Sequence, residues 1–403
     1  MTLPLSDVKI ADFSWVGAGP RATKDLADFG ATTIKIESRK RLDLGRLSPP
    51  FAGDKRDPDA SAFFAITNTS KMSVTINLSD AEGVAMAKKL IAWADVVVEN
   101  FSAGFMDRVG LSYEVMQEIN PDIILASVSV AGRTGPLGKI RGYGNSAAAL
   151  SGLAALSGWP DRDPHMPPFA YGDVVAPMFA TVAILAALEH RRQTGEGQHI
   201  DISQVEPLIH TMADQFAQEN FLSEESKPDQ ATAHKPGNNS ACHLLQGAYP
   251  CRGHNQFIAI TLRNEYDWHL LAQAMGLANS NTATSHHDSV ETKHEIIANW
   301  TATKDKHILA NRLSQLGIAA EPVADGRDVF TDPTLVLGGH YRQVQHSKLG
   351  QCELPAPPLR FSHSEVRVDP PPNLGEHLYT VFVDMLGERP DHIANLVSQG
   401  ALA

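Results

Sequence analysis

The sequence predicts an α/β fold with a doubly wound parallel sheet, and three observations support this prediction. Short apolar runs alternate with helical patterns through the first half of the chain. A glycine-rich turn, Gly17-Ala18-Gly19-Pro20, follows the first apolar run. The 403 residues, 43% hydrophobic and 20% charged, have the composition of a globular protein long enough for two or three domains. Because strands that alternate with helices pair in parallel, these features predict one sheet with helices on both faces.

Five strands and five helices are predicted in this first half. The strands cover residues 8–13, 32–37, 96–98, 123–130 and 199–202. The helices cover residues 20–29, 79–93, 112–119, 145–156 and 174–192. Pro20 suits the first turn of the first helix and Gly30 its end. Ser79-Asp80-Ala81-Glu82 has the spacing of a capping box and marks the start of the second helix.

The pattern changes after residue 222. Residues 222–256 are polar and contain the turn-forming run Lys235-Pro-Gly-Asn-Asn-Ser. Strands are expected within 249–262, and helices over 268–275, 296–300 and 306–316. This half therefore predicts a smaller α+β domain, after which proline-rich stretches lead the chain back over the surface.

Charge and cysteine content exclude several classes of protein. The formal net charge of −12 disfavours nonspecific nucleic-acid binding, which depends on Lys and Arg against phosphate. Cys242, Cys251 and Cys352 match no zinc-binding spacing and argue against a disulfide framework. The start resembles no signal peptide, and no apolar run reaches the ~20 residues of a membrane span. We therefore expect a cytoplasmic protein without a metal site, without nucleic acid and without a membrane partner.

The first glycine-rich turn has two interpretations. Gly17-x-Gly19-x-x-Ala22 follows a strand and opens a helix, and Glu37 ends the next strand twenty residues later. This is the layout of a Rossmann-like dinucleotide site, which would suit an NAD-dependent dehydrogenase. The alternative is a tight turn whose glycines only permit close packing. The basic run at 39–41 suits a phosphate better than a ribose hydroxyl.

Asp173 lies where a loop meets the last predicted helix of the first half. Asp is a preferred N-cap that stabilises a helix by about 1 kcal/mol, and spacing alone favours that structural role. The alternative is a carboxylate that the helix N-terminus keeps ionised and that acts as a nucleophile. Arg133, Lys139 and Arg141 lie on the glycine-rich loop upstream, where they could clamp phosphate or carboxylate groups or remain solvated.

Ordered segments over nearly the whole chain form one recognisable combination, and they include Gly19-Pro20, Leu26-Ala27-Asp28-Phe29-Gly30-Ala31, Ile34-Lys35-Ile36-Glu37, Asn68-x-x-Lys71-x-Ser73, Val98-Glu99-Asn100-Phe101, Asp107-Arg108-x-Gly110, Gly172-Asp173, Thr194-Gly195-x-Gly197-Gln198 and Leu374-Gly375-Glu376-His377. In this combination the chain resembles the family III CoA-transferases, which include formyl-CoA and carnitine CoA-transferases, succinyl-CoA-dependent transferases and α-methylacyl-CoA racemase.

This resemblance implies an interlocked dimer of two threaded chains. It implies a large domain from residues 1–222, a small domain from 223–330 and a C-terminal segment, 331–403, that completes the large domain. The partner subunit would be a second copy or a related chain in a heteromer. No cofactor would be tightly bound, since coenzyme A and acyl-CoA are substrates.

The resemblance also implies a covalent mechanism. Asp173 would form a mixed anhydride with the acyl group of an acyl-CoA and then an aspartyl-CoA thioester, from which CoA passes to a carboxylic acid. Main-chain N–H groups of the Gly17 turn would hold the oxyanion. By position in the family's motifs, coenzyme A contacts are expected from Gly17, Ala18, Arg39, Ile76, Asn77, Leu78, Ser79, Asn100, Phe101, Ser102, Arg108, Gly142, Tyr143, Gly144 and Asn145.

Departures from the family pattern bear on the reaction. Gly142-Tyr143-Gly144 stands where the racemases have a Gly-His pair, so the alternative of an acyl-CoA racemase or epimerase is disfavoured. Gly17 replaces the Gln of some transferases, which disfavours formate and leaves room for a larger acyl group. The stretch from Glu37 to Phe51 is most similar to the branch that uses succinyl-CoA with dicarboxylate or arylsuccinate (benzylsuccinate-like) acceptors. Lys235-Pro-Gly-Asn-Asn is a candidate flap.

Overall fold

The computed structural model describes residues 3–159, 161–221, 237–238, 242–277 and 289–403, so most of the candidate flap lies outside the described residues. The chain divides into two compact units. The first comprises Met1–Ala154, Met166–Phe221 and Val336–Ala403, and the second comprises Ala155–His165 and Leu222–Leu335. The second unit thus includes residues 155–165, which the sequence assigned to the large domain.

The first unit is built on a six-stranded parallel sheet. Its strands are β1 (Lys9–Asp12), β2 (Thr32–Glu37), β3 (Met72–Thr75), β4 (Val96–Glu99), β5 (Ile124–Ser129) and β6 (His199–Ser203). They lie in the order β3-β2-β1-β4-β5-β6. The chain winds outward from β1 to β3, then returns to begin again at β4. In such sheets ligands bind outside the carboxyl ends of the strands where the winding reverses, which here is between β1 and β4.

Among the described residues up to 221, ten helices accompany these strands. They are α1 (Ala18–Asp28), α2 (Ala62–Thr67), α3 (Ala81–Trp93), α4 (Phe105–Arg108), α5 (Tyr113–Ile119), α6 (Gly144–Leu150), α7 (Leu153–Leu156), α8 (Gly172–Thr194), α9 (Val205–His210) and α10 (Ala213–Phe221); a 3₁₀ turn covers Pro58–Ala60.

Both faces of the sheet are buried, as a doubly wound fold requires. Ile10, Val96 and Val98 pack with apolar residues of α1 and α8 on one face. Ala11 and Val97 face the other side, where residues of α3 and the C-terminal segment cover them. Successive residues of a strand point to opposite faces, so a strand buried on both sides reads as a continuous apolar run. The prediction of a doubly wound α/β sheet is confirmed.

The second unit contains a small antiparallel sheet with helices. Strands β7 (Leu245–Pro250), β8 (Phe257–Leu262) and β9 (Ala319–Pro322) lie in that order. The helices are α11 (Glu265–Met275), α12 (Val290–Thr301), α13 (Lys306–Gln315) and α14 (Gly326–Thr331). Ile258, Trp268, Ile297 and Leu313 are among the residues that form its own core. The predicted smaller α+β unit is therefore present.

The C-terminal segment returns to the first unit. It contains α15 (Pro333–Leu337), the hairpin of β10 (Tyr341–His346) and β11 (Gly350–Pro355), a π-helical turn at Thr380–Met385 and α16 (Pro390–Gln399). Phe382, Ile393 and Leu396 are buried in the core beside β2 and β3. The last residues reach the sheet itself, because Thr75 Oγ1 in β3 donates to the Leu402 carbonyl at 3.0 Å.

Several elements differ from the prediction, among them β9 and the helices α2, α4, α9, α10, α14 and α16, which were not predicted, and three further differences have a clear physical reason. Strand β3 was not predicted, because Met-Ser-Val-Thr is no apolar run; Ser73 and Thr75 are buried there with hydrogen-bond partners. The single helix predicted over 145–156 is two helices, since Gly152 at φ +89° interrupts it. The β10–β11 hairpin lies where only an irregular return was expected.

Candidate active site

The loop after β1 and the loop after β4 are joined at the point where the winding reverses. The Trp15 N–H donates to Asn100 Oδ1 and Asn100 Nδ2 donates to the Trp15 carbonyl, both at 2.7 Å. The Phe101 ring packs edge-on against Trp15 and contacts Phe105. The Asn100 amide thus holds the two loops together, and its contact with coenzyme A stays a prediction.

The Gly17 turn touches Asp173. A Cβ at position 17 would lie 3.2 Å from Asp173 Cβ and 3.5 Å from Asp173 Oδ2. Gly19 serves packing, since a Cβ there would lie 2.1 Å from Ser14 Cβ. Val16 has φ +65°, a left-handed conformation that is strained for a β-branched residue, and its N–H donates to Asp43 Oδ1 at 2.8 Å.

A network of buried charges holds the Gly17 turn in place. Lys35 Nζ donates to the Ser14 carbonyl at 2.7 Å and lies 3.1 Å from Asp43 Oδ2. Lys71 Nζ lies 2.9 Å from Asp12 Oδ2. Burial lowers the pKa of Lys71 to about 8 against the opposing effect of Asp12. These fixed charges hold the strand end and the turn in one geometry.

Glu37 does not have the role that a dinucleotide site requires. Arg46 donates to both Glu37 carboxylate oxygens at 2.7 Å, and Ser73 Oγ donates to Oε2 at 2.7 Å. The carboxylate is 1% exposed. Because the Glu37 carboxylate is buried and paired with Arg46 and Ser73, it is not accessible to a ribose, and the NAD-binding interpretation loses its second residue.

Asp173 lies in the first turn of α8 and is not its N-cap. Tyr171 occupies the N-cap position and no side chain caps the helix, so the structural interpretation of Asp173 as a cap is wrong. Its Oδ1 accepts a 2.6 Å hydrogen bond from Gln204 Nε2, and the Gly144 N–H also binds the carboxylate. Burial raises the pKa of Asp173 above 3.8, although Gln204, Gly144 and the charge of Arg21 each oppose that rise.

Two glycines allow the starts of α6 and α8 to meet. A Cβ at Gly144 would lie 2.4 Å from the Asp173 backbone nitrogen, and a Cβ at Gly172 would lie 2.9 Å from Gly144 Cα. This close approach brings the Gly144 N–H to the carboxylate. The structure therefore groups three predicted residues, Gly17, Gly144 and Asp173, at one place.

Two residues of this group were missed. Gln204 follows β6, the last parallel strand, and its position at a carboxyl strand end was a signal that could have found it. Its Oε1 is buried without a hydrogen-bond partner. Arg21 lies one turn into α1 and its charge acts on Asp173; a cation four residues after the Gly17 turn was the available signal.

The other predicted residues lie along the same edge of the sheet. Arg39 follows β2, residues 76–79 follow β3, and residues 100–102 follow β4. Arg39 Nη2 donates to the Leu374 carbonyl at 3.0 Å. Ile76 is 1% exposed, so its side chain belongs to the core and cannot contact a ligand.

Most of the remaining predicted residues are exposed around these loops, and Ala18 is the buried exception. The Arg108 guanidinium lies 5.9 Å from the Phe105 ring centroid. Tyr143 and Asn145 are exposed beside Gly144, and Gly142 approaches Ser146 Oγ closely. Ala18 is buried at the start of α1. No group of three or more His, Cys, Asp or Glu side chains suited to a metal ion is found among the described residues.

Comparisons with known proteins agree with this architecture. The family model described as CoA-transferase family III matches residues 5–378. Human succinyl-CoA:glutarate CoA-transferase is 31% identical over 422 aligned residues, covering 99% of this chain and 90% of that protein. Formyl-CoA:oxalate CoA-transferase of Shigella sonnei is 31% identical and covers 100% of both.

A solved structure gives the same result for the fold. The crystal structure of a CAIB/BAIF family protein from Brucella suis superposes with a TM-score of 0.84 at 28% identity, covering 95% of this chain and 100% of that one. Sequence and fold therefore agree along almost the whole length, and the chain belongs to CoA-transferase family III and is an enzyme of the CoA-transferase class.

Proposed function

We propose that this enzyme transfers coenzyme A from succinyl-CoA to a dicarboxylic acid, with Asp173 as the nucleophile. The observation that carries the proposal is the carboxylate of Asp173, half-buried against the Gly17 turn beside the point where the winding reverses. Relatives named for succinyl-CoA:glutarate and formyl-CoA:oxalate transfer support the class of donor and acceptor. An arylsuccinate remains a further prediction for the acceptor.

The reaction proceeds through four balanced steps. The Asp173 carboxylate attacks the thioester carbonyl, the C–S bond breaks, and CoA thiolate leaves a mixed anhydride. The thiolate attacks the Asp173 carbonyl of that anhydride, which releases succinate and leaves an aspartyl-CoA thioester. The acceptor carboxylate attacks this thioester and again expels the thiolate. The thiolate finally attacks the acceptor carbonyl, which yields the new acyl-CoA and regenerates the Asp173 carboxylate.

The surroundings of Asp173 fit these steps. Burial removes water from a carboxylate that becomes part of a hydrolysable anhydride. The hydrogen bond from Gln204 fixes Oδ1, so Oδ2 is directed at the Gly17 turn. The first N–H groups of α1 have no acceptor within the helix, and those of Gly17 and Ala18 are proposed to bind the oxyanion.

The predicted coenzyme A residues support an extended binding mode. Arg39, Asn77 and Asn100 follow three parallel strands and lie at one edge of the sheet. We propose that coenzyme A lies along this edge, with the basic groups of Arg39 and Arg108 near its phosphates and its thiol at Asp173. Ile76 contributes only to the position of this edge.

We propose that the active enzyme is a soluble, cytoplasmic dimer. Met178, Val182 and Leu185 form an apolar stripe on α8 and are 58%, 66% and 40% exposed. α8 is the one described helix long and apolar enough to cross a membrane, yet its opposite face is buried on the sheet. A second copy of the chain, interlocked with the first, would cover the exposed stripe.

The intact mass of the protein after mixing with succinyl-CoA tests the covalent step. We expect an added succinyl or CoA mass on the 43.6 kDa native chain, removed by hydroxylamine. Asp173→Ala should show neither adduct, while Asp122→Asn, a change at an exposed acid, should behave as native. An adduct on Asp173→Ala would overturn the nucleophile. Without adducts from any acyl-CoA, exchange of the α-proton would show a racemase.

A further inference from the structure

Arg21 lies in α1, close to the point where the Gly17 turn meets Asp173 of α8. The backbone N–H of Arg21 donates to the Gly17 carbonyl at 3.0 Å, and Gly17 lies against the Asp173 side chain. Helical side chains lean toward the N-terminus of their helix, so the Arg21 side chain leans back over the Gly17 turn. α1 runs beside α8, where Thr181 Oγ1 reaches the Ala22 carbonyl at 3.4 Å.

The charge of Arg21 has no bonded partner. Among the described residues its guanidinium makes neither an ion pair nor a hydrogen bond, and its Nε is fully buried without an acceptor. Other buried cations of this unit do have carboxylate partners, namely Lys24 with Asp28 at 2.6 Å, Arg46 with Glu37 at 2.7 Å and Lys71 with Asp12 at 2.9 Å. Arg21 is partly exposed, but a buried Nε without an acceptor is unfavourable, so an anion bound at this guanidinium would be stabilised.

During the proposed reaction the Arg21 charge loses the neighbouring negative charge of Asp173. Burial lowers the pKa of Arg21, while Asp173 and Asp25 raise it, and a guanidinium stays protonated. Asp173 loses its negative charge when it becomes an anhydride or a thioester. Asp25 lies 3.7 Å from Lys24 and is shared with that cation. In both covalent intermediates Arg21 therefore faces the site without its main counter-charge.

We propose that Arg21 binds the non-reacting carboxylate of the dicarboxylic substrate and so selects dicarboxylic over neutral acyl groups; this inference rests on the proposed function. Residues four apart on a helix have their Cβ atoms about 5–6 Å apart, and Arg21 is four residues beyond Gly17. A short dicarboxylic chain whose thioester carbonyl lies at Gly17 thus places its free carboxylate near the guanidinium, which binds carboxylates in a fork geometry.

Two donors of equal chain length test the proposal: succinyl-CoA, which carries a free carboxylate, and butyryl-CoA, which does not. Adduct formation on Asp173 is followed by intact mass, with kcat and KM for each donor and one fixed acceptor. For Arg21→Gln we expect kcat/KM with succinyl-CoA to fall about 10- to 100-fold, mainly through KM, and the value with butyryl-CoA to change less than about threefold. Arg21→Lys should recover part of the loss.

Arg192→Gln is the matched control, since it removes one exposed positive charge at the far end of α8. An equal loss with both donors, or a loss with neither, would overturn the role of Arg21. Failure of the proposed function looks different, because the native enzyme then forms no adduct with any donor. In that case calorimetric titration of glutarate into the native protein and into Arg21→Gln tests the inference. An equal affinity of the two proteins for glutarate would overturn the role of Arg21.

Discussion

Asp173 acquires its chemical character from side chains that lie far from it in the sequence. Gln204 holds one carboxylate oxygen, the Gly144 N–H contributes a second hydrogen bond, and Arg21 contributes a charge. Burial still raises the pKa of Asp173. In the proposed mechanism the attacking form is the carboxylate, so we expect activity above this pKa and its loss as the pH falls through it.

Gln204→Glu should move the acid limb of the pH–rate profile upward. A second carboxylate in place of the amide disfavours ionisation of Asp173, which raises its pKa further. The measurement is kcat/KM for acyl transfer against pH. Gln193→Glu, an exposed change in the last turn of α8, should keep the native profile. An unshifted limb with Gln204→Glu would show that Asp173 does not set it.

Gly17→Ala should slow adduct formation about 10- to 100-fold while changing the free energy of unfolding by less than about 1 kcal/mol. The added Cβ lies 3.2 Å from Asp173 Cβ, so the carboxylate must move. Gly326→Ala places its Cβ in open space and serves as the control. The rate of adduct formation is measured for each variant by rapid quench and intact mass. A native rate for Gly17→Ala would contradict the proposed role of the Gly17 turn in the reaction.

At the scale of elements, the strand ends are fixed by buried ion pairs that the sequence pattern does not reveal. Arg46 joins Glu37 at the end of β2 to Asp59 near α2. Lys35 and Asp43 hold the Val16 turn. The spacing of Gly17 and Glu37 allowed an interpretation in which Glu37 binds a ribose. In the structure the Glu37 carboxylate is instead buried in its ion pair with Arg46. Spacing indicates which residues share an edge of the sheet, and only packing decides their partners.

Glu37→Gln should therefore destabilise the protein rather than change its ligand. Loss of the Glu37 charge leaves the buried Arg46 with Asp59 as its carboxylate partner, which costs up to about 3 kcal/mol. Urea unfolding at fixed protein concentration measures the effect. Glu189→Gln breaks an exposed pair with Arg192 and should leave the midpoint unchanged. A stable Glu37→Gln variant with altered nucleotide binding would restore the ribose interpretation.

At the scale of the whole molecule, α8 has two tasks. One face is buried on the sheet through residues such as Ala180 and Ile184. The opposite face exposes Met178, Val182 and Leu185. An apolar stripe of this kind on a helix marks an interaction surface. Because Asp173 lies in the first turn of the same helix, a dimer formed through this stripe would be coupled to the candidate active site.

Val182→Glu should weaken the proposed dimer, since it places a charge in the centre of the stripe. Light scattering coupled to size exclusion, after refolding from denaturant, should give twice the chain mass of 43.6 kDa for the native protein and a lower value for the variant, because interlocked chains separate only by unfolding. Val397→Glu changes an exposed valine on α16 and should leave the native mass unchanged. A monomeric native protein would exclude the dimer.

The sequence by itself determined the fold class, most strands and helices, and the position of the nucleophile candidate. Apolar periodicity and glycine turns are local signals, and the ordered motifs indicated the family. The tertiary structure alone decided that Gln204 and Arg21 join Asp173, that Glu37 belongs to the fold, and that β3 is a strand. These are contacts between residues distant in the chain, and their burial and pairing have no local pattern that a sequence could display.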